Sequence, residues 1–271
     1  MRNQKQGSVQ KQVVPIKKVK RLFWDIEVSP NIGLFWRGGF DQNINPDQII
    51  VERKVITIAY KWQGDKKVHV LKWDREMNDY EMLKQFQKVA IEADELIAHY
   101  GDRFDVPWFK ARCIILGLPP LPMFKTIDTK AWASKHFYFN SNKLDYLAKV
   151  FGFEGKIKTD YEMWKSITLY NSKESLDKMC KYNAEDVVQL EKVYDKFAPW
   201  MRPKTHAGVL GGHEKWTCPY TGSTNVKKSK TRVTYGGVIQ HQMQNLETGS
   251  YYTISKAAYD EYLKARKKVR R

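Results

Sequence analysis

The chain has 271 residues, 42% hydrophobic and 28% charged, with 47 lysines and arginines against 30 aspartates and glutamates, a net charge of +17. That length suits one domain of roughly 180 residues plus a small accessory module. It contains no apolar run long enough for a membrane span or for the core of a signal peptide, and its three scattered cysteines, Cys113, Cys180 and Cys218, imply a reducing, cytoplasmic setting without a disulfide framework.

The charge is unevenly spread. Residues 1–20 carry six basic groups and no acid, residues 201–271 carry fourteen basic groups against four acids, and residues 21–200 are nearly balanced. Polycationic ends around a neutral middle point to binding of a phosphate backbone. Attachment to an anionic membrane is the alternative, and no lipidation motif supports it. The Gln- and Lys-rich stretch 1–20 is expected to be a flexible basic arm.

In chain order, RLFWDIEV begins the first predicted strand, Arg21 to Glu27. Alternation along a strand puts Asp25 and Glu27 on one face and Leu22, Trp24 and Ile26 on the other. Two unit charges about 4 Å apart repel by roughly 4 kcal/mol at an effective dielectric near 20, so the pair calls for a cation. A solvated strand face is the plainer reading. Further strands are predicted at Val55 to Trp62 and Val68 to Trp73, the three forming an antiparallel meander, then at Leu96 to His99 and Lys125 to Ile127. Helices are expected around Tyr80 to Ala93, Val106 to Leu116, Thr129 to His136, Lys143 to Phe151 and Ser172 to Phe197. Together these make an α/β fold, a mixed five-stranded sheet flanked by helices.

Four places on these elements bear on chemistry or compete for that role. Asp105, after Phe104 and before Pro107, stands at a helix entry where an aspartate also serves as a plain N-cap; Asp102 competes with it. Asp128 reads first as the cap of the next helix, and Asp145 as a helix-surface acid. On the last long helix, Leu176, Met179, Asn183, Val187 and Leu190 are spaced for one buried stripe, and Tyr182 and Asp186, four apart, share a face.

The order Asp-x-Glu on a strand, Phe-Asp before a helix and Tyr-x-x-x-Asp in a late helix closely resembles the DEDD exonuclease superfamily. Within it, the chain resembles the branch with a tyrosine in the third motif, which includes proofreading domains of family B DNA polymerases and stand-alone phage and bacterial exonucleases. FKTIDTKAWA and SNKLDYLAKVFG also look like this branch, and the resemblance spans roughly residues 20 to 200. It implies an RNase H-like fold and a 3′–5′ exonuclease acting on single strands or frayed ends of DNA and releasing nucleoside 5′-monophosphates. Asp25, Glu27, Asp105 and Asp186 would hold two magnesium or manganese ions, and Tyr182 would orient the attacking water. Glu27 would also receive the terminal 3′ hydroxyl. His99 and Lys143 are candidate substrate contacts, with a structural histidine and a solvated lysine as the alternatives, and Trp36, Phe40 and Phe104 are candidates to stack on or wedge terminal bases, with core positions as theirs. An exoribonuclease of the same chemistry and a non-catalytic replisome adaptor are the rival functions. Replication proteins are expected partners, and a phage enzyme in its host's cytoplasm fits the layout.

Beyond Trp200 the chain turns Gly-rich and β-like. Residues 201–254 resemble a zinc ribbon that keeps only Cys218. Thr221, Asn245 and Thr248 occupy the other three ligand positions, so no zinc is expected, and His206, His213 and His241 have no usual ligand spacing. Packing of Trp216, Tyr220, Tyr235, Tyr251 and Tyr252 is expected to hold this module. Lys227, Lys228, Lys230 and Arg232 form a basic hairpin that faces nucleic acid or simply solvent. Residues 255–271 read as a basic helix capped by Ser255.

Overall fold

The computed structural model describes residues 18–39, 43–153 and 159–269. Most of the expected arm at 1–20, and Phe40, lie outside the described residues. Two compact units are present, Lys20–Arg202 and one containing Pro203–Arg271.

The first unit runs β1 (Arg21–Val28), β2 (Ile32–Gly33), β3 (Ile49–Val51), β4 (Val55–Trp62), β5 (His69–Lys72), α1 (Tyr80–Ala90), β6 (Glu95–Ala98), α2 (Asp105–Ile115), β7 (Lys125–Asp128), α3 (Thr129–His136), α4 (Leu144–Val150), α5 (Tyr161–Tyr170) and α6 (Lys173–Phe197). Its main sheet has the order β5-β4-β1-β6-β7. The first three strands are antiparallel, and β6 and β7 join parallel to β1. This is the expected mixed five-stranded sheet with its meander.

Both faces of the sheet are covered, which is why β4 reads as a nearly continuous apolar run and is buried through seven of its eight residues. Leu22, Trp24 and Ile26 meet Phe86 of α1 and Phe109 of α2, with Trp24 stacked on Phe86 at 4.9 Å. Phe23, Ala59 and Ile97 meet Val187, Leu190 and Tyr194 of α6. Asp25 and Glu27, in phase with Phe23, therefore belong to the α6 side.

Two elements differ from expectation. A short β2–β3 hairpin follows β1, and at Gly33 a Cβ would stand 2.7 Å from the Gln48 carbonyl oxygen, so this close approach needs glycine. Helix α5 was not expected: Asp160 Oδ1 accepts from the Met163 amide at 3.0 Å, and Asn171, with φ of 47°, ends it in the left-handed region.

The second unit holds α7 (Ala207–Leu210), β8 (Val226–Val233), β9 (Ile239–Asn245), β10 (Tyr251–Ser255) and α8 (Lys256–Val269), with sheet order β10-β9-β8. Its core comprises Trp216, Cys218, Val226, Met243, Tyr252, Ile254, Ala258 and Tyr262. The Tyr252 hydroxyl donates to the Trp216 carbonyl at 2.8 Å. Tyr220 packs against this core, whereas Tyr235 is fully exposed and Tyr251 is half exposed. These two correct the expected packing set: Tyr235 lies in the β8–β9 turn and Tyr251 alternates away from Tyr252. At the ribbon positions, Asn245 Nδ2 donates to Thr221 Oγ1 at 3.0 Å, a direct hydrogen bond between two would-be ligands. Ser255 Oγ accepts from Ala258 N at the start of α8. No described helix is long and apolar enough to cross a membrane.

Candidate functional site

The apolar stripe of α6 is interrupted at Asn183 and Asp186, both buried. Before the break, Leu176 and Met179 pack with Ile56, Met163 and Ile167; after it, Val187, Leu190 and Val193 pack on the sheet. The polar gap faces β1, and there one oxygen from each of Asp25, Glu27 and Asp186 lies within 4.8 Å of the others. Among the described residues this is the one such carboxylate, histidine or cysteine group.

Asp105 is not in that trio, but it is tied to the same strand. Strand β6 pairs with β1 only as far as Phe23, so the Ile26 amide lacks a strand partner there and donates to Asp105 Oδ1 at 3.0 Å. Desolvation pushes the Asp105 carboxyl up to about 7, with the Ile26 hydrogen bond pulling down and Asp128 adding a further upward push. The competing Asp102 is exposed, and Asp128 caps α3 through the Ala131 amide while also accepting from the Tyr100 amide. Asp145 pairs with Lys149.

Two neutral side chains complete the polar gap. Asn183 Nδ2 donates to Asp25 Oδ2 at 2.7 Å, and its buried Oδ1 has no hydrogen-bond partner among the described residues. Buried Thr57, directly opposite Glu27 across β1–β4, likewise has an Oγ1 with no such partner. Converging carboxylates, with amide and hydroxyl oxygens beside them, form an all-oxygen donor set that fits a hard divalent cation and its waters. Neither Asn183 nor Thr57 was singled out by sequence for this role: periodicity assigned Asn183 to the apolar stripe, and Thr57 was one residue of a buried strand.

Tyr182 packs edge-on against Trp164 of α5 at 6.2 Å. His99 engages Thr129 Oγ1 at 2.9 Å through Nδ1 and the Asn142 carbonyl at 2.8 Å through Nε2, so both ring nitrogens are used inside the fold. Lys143 is exposed at the start of α4, Trp36 is fully exposed, and Phe104 packs against the α1–α2 side of the core. The four hairpin cations do not share a face. A register shift between Lys228 and Lys230 leaves Lys227, Lys230 and Arg232 opposite Gln244, Gln242 and Gln240, while Lys228 sits opposite buried Met243.

A cleft of about 360 Å³ lies beside the turn that leads to Asp105, lined by Tyr100, Arg103, Asp128, Lys130 and Lys135 among others. Tyr100 holds a φ of 75°, an uncommon conformation for a tyrosine, and Lys130 Nζ lies 3.9 Å from its ring centroid. Sequence reading missed this cleft because its cations come from the turn before α2 and from α3, with α2 and β7 between them.

A family model of the RNase H superfamily matches residues 51–198. The match includes Asp105, Tyr182 and Asp186 and begins after Asp25 and Glu27. Among solved structures, the family B DNA polymerase from the hyperthermophilic archaeon Pyrobaculum calidifontis is similar, with a TM-score of 0.53 and 18% identity over 68% of this chain and 25% of that one. The chain thus spans about a quarter of that polymerase's length, and the likeness is one of fold. No curated protein matches. With more than half of its length matched by the family model and its mixed five-stranded sheet flanked by helices, the chain belongs to the RNase H superfamily and carries an RNase H-like nuclease fold.

Proposed function

We propose that this protein is a 3′–5′ exonuclease that hydrolyses single-stranded or frayed DNA ends with the help of two divalent cations, magnesium or manganese. The convergence of Asp25, Glu27 and Asp186 within 4.8 Å carries the reading. The tyrosine-containing third motif and the placement of Asp105 against β1 support the narrower assignment. In this reading residues 21–200 are the exonuclease domain, 201–254 a ribbon-like module without zinc, 255–271 a basic helix and 1–20 a basic arm.

When bound by Asp25, Glu27, Asp105 and Asp186, the cations supply Lewis acidity at the scissile phosphate and at the leaving 3′ oxygen. The side chains do the rest. Asn183 fixes one oxygen of Asp25 and so sets the direction of the other. Tyr182 orients the attacking water through its phenol hydroxyl. Glu27 accepts the hydrogen bond of the terminal 3′ hydroxyl, which selects ends over internal bonds. Water attacks phosphorus, the bond to the 3′ oxygen of the shortened strand breaks, that oxygen takes a proton, and a nucleoside 5′-monophosphate leaves. Arg103, Lys130 and Lys135 beside the motif-two turn offer charge for the incoming strand's phosphates.

The test is a 5′-labelled single-stranded DNA incubated with magnesium, manganese or EDTA, with an RNA strand in parallel, comparing wild type and Asp186→Ala. A cation-dependent ladder shortening from the 3′ end, absent from the variant, is expected. Cleavage of RNA alone would make the protein an exoribonuclease. Salt-sensitive binding with no cleavage of either strand would make it an adaptor.

A further inference from the structure

Strand β8 is an edge of the C-terminal sheet, and its register shift separates the basic residues that the sequence groups together. Strict alternation from Val226 would place Lys228, Lys230 and Arg232 on one face. Skipping Ser229 instead sends Lys230 and Arg232 to the side of Lys227 and leaves Lys228 facing α8. There it lines a cleft of about 340 Å³ with Tyr259, Tyr262, Leu263, Arg266 and Lys267. These α8 residues recur at helical spacing along one face, where an ordinary docking helix presents apolar side chains. Here the same face carries two aromatic rings and ends in two cations.

Three cations and no carboxylate line this cleft. One is held in place: Arg266 Nη1 donates to the Tyr262 hydroxyl at 2.9 Å and to the Val226 carbonyl at 3.4 Å, with the guanidinium carbon 5.7 Å from the Tyr262 ring centroid. Lys228 Nζ lies 5.1 Å from the centroid of Tyr259, whose ring stacks on His241 at 4.0 Å. Edge strands often carry lysine simply to discourage pairing with other sheets. That purpose is served by side chains pointing into solvent and does not account for an arginine positioned against an aromatic ring.

We propose that this cleft is a second nucleic-acid contact, in which Lys228, Arg266 and Lys267 hold backbone phosphates of a single strand and the Tyr259–Leu263 wall receives a sugar or base. Charge complementarity names the partner as a polyanion, and aromatic walls suit a strand whose bases are unpaired. Leu263 is the one exposed large apolar side chain in the lining, too little apolar surface for insertion into a lipid layer. The choice of nucleic acid rests on the proposed nuclease function; the cleft's chemistry does not.

The experiment uses the full chain carrying Asp186→Ala, in EDTA, with a fluorescent oligothymidylate followed by anisotropy across a salt series. Adding Lys228→Gln and Lys267→Gln is expected to weaken binding tenfold or more. It should also lower the slope of log affinity against log salt by about 1.4, since each single-strand phosphate contact contributes about 0.7. The Lys228→Arg, Lys267→Arg pair should bind like the parent. Unchanged affinity and slope in the Gln variant, or an equal loss in the Arg variant, overturns the proposal. So does binding to phosphatidylserine vesicles that the Gln pair abolishes while oligonucleotide binding persists. Cleavage is switched off throughout, so a protein that binds in this way but proves not to cut DNA would sink only the exonuclease reading.

Discussion

Burial keeps a proton on Asp105 up to about pH 7, and this has a thermodynamic sign. Between about pH 4 and about 7 the folded chain binds more protons at this site than the unfolded chain, so cation-free stability falls as pH rises through that window and levels off above it. Asp105→Asn keeps an acceptor for the Ile26 amide and removes the ionisation. In EDTA at pH 8 the variant should resist urea better than wild type, by up to about 4 kcal/mol for a shift of this size, and the two should converge near pH 4. Added magnesium should stabilise wild type and leave the variant without cleavage. Asn183 acts one contact further out, through Asp25. Asn183→Ala should raise the cation concentration needed for half-maximal cleavage by about 10- to 100-fold with a smaller change at saturation, read from a magnesium titration. Asp25 and Glu27 were legible as a pair because strand alternation is a short-range rule, whereas Asp105 and Asp186 were singled out by the order of motifs that resembles the DEDD exonucleases. Asn183 was not, since a polar residue on an apolar stripe gains a meaning only once the strand opposite it is known.

At the scale of elements, α1, α2 and β4 are joined by one buried ion pair. Arg112 reaches Asp79 with two bonds of 2.8 Å, and Asp79 Oδ2 also accepts from the Val55 amide at 3.0 Å. Removing one partner strands a buried charge, so Asp79→Ala should cost about 3–5 kcal/mol in chemical denaturation, whereas Lys149→Ala, in an exposed pair with Asp145, should cost less than about 1 kcal/mol. Long, periodic elements were readable: β1, β4 and α6 stand where alternation and the buried stripe put them. Helix α5 escaped because only Met163, Ile167 and Thr168 of its ten residues are buried, too few for a clear period. Its capping residues, Asp160 and Asn171, were the signals that would have found it. The bulge in β8 escaped for a different reason: no local residue preference marks Ser229, and its effect lies in the pairing with β9.

For the whole molecule, nearly all the excess charge lies outside the unit Lys20–Arg202, which contains the carboxylate trio. A fragment ending at Arg202 should fold, as read by circular dichroism. With residues 1–19 removed as well, it should retain single-strand cleavage at low salt and lose most of the salt dependence of binding, because most of the cations that exchange for counterions have then been removed. The site also has a temporal side. The Asn183–Asp25 bond closes a loop of 158 residues, and a one-residue slip of β1 would turn Asp25 and Glu27 toward α1 and α2. Cation capture thus requires both correct strand register and a docked α6, the slowest kind of contact for a chain to find. A luminescent lanthanide added during refolding would stay dark through collapse and helix formation and light up only on arrival at the native arrangement, so the pocket can serve as a stopwatch for the folding of the sheet around it.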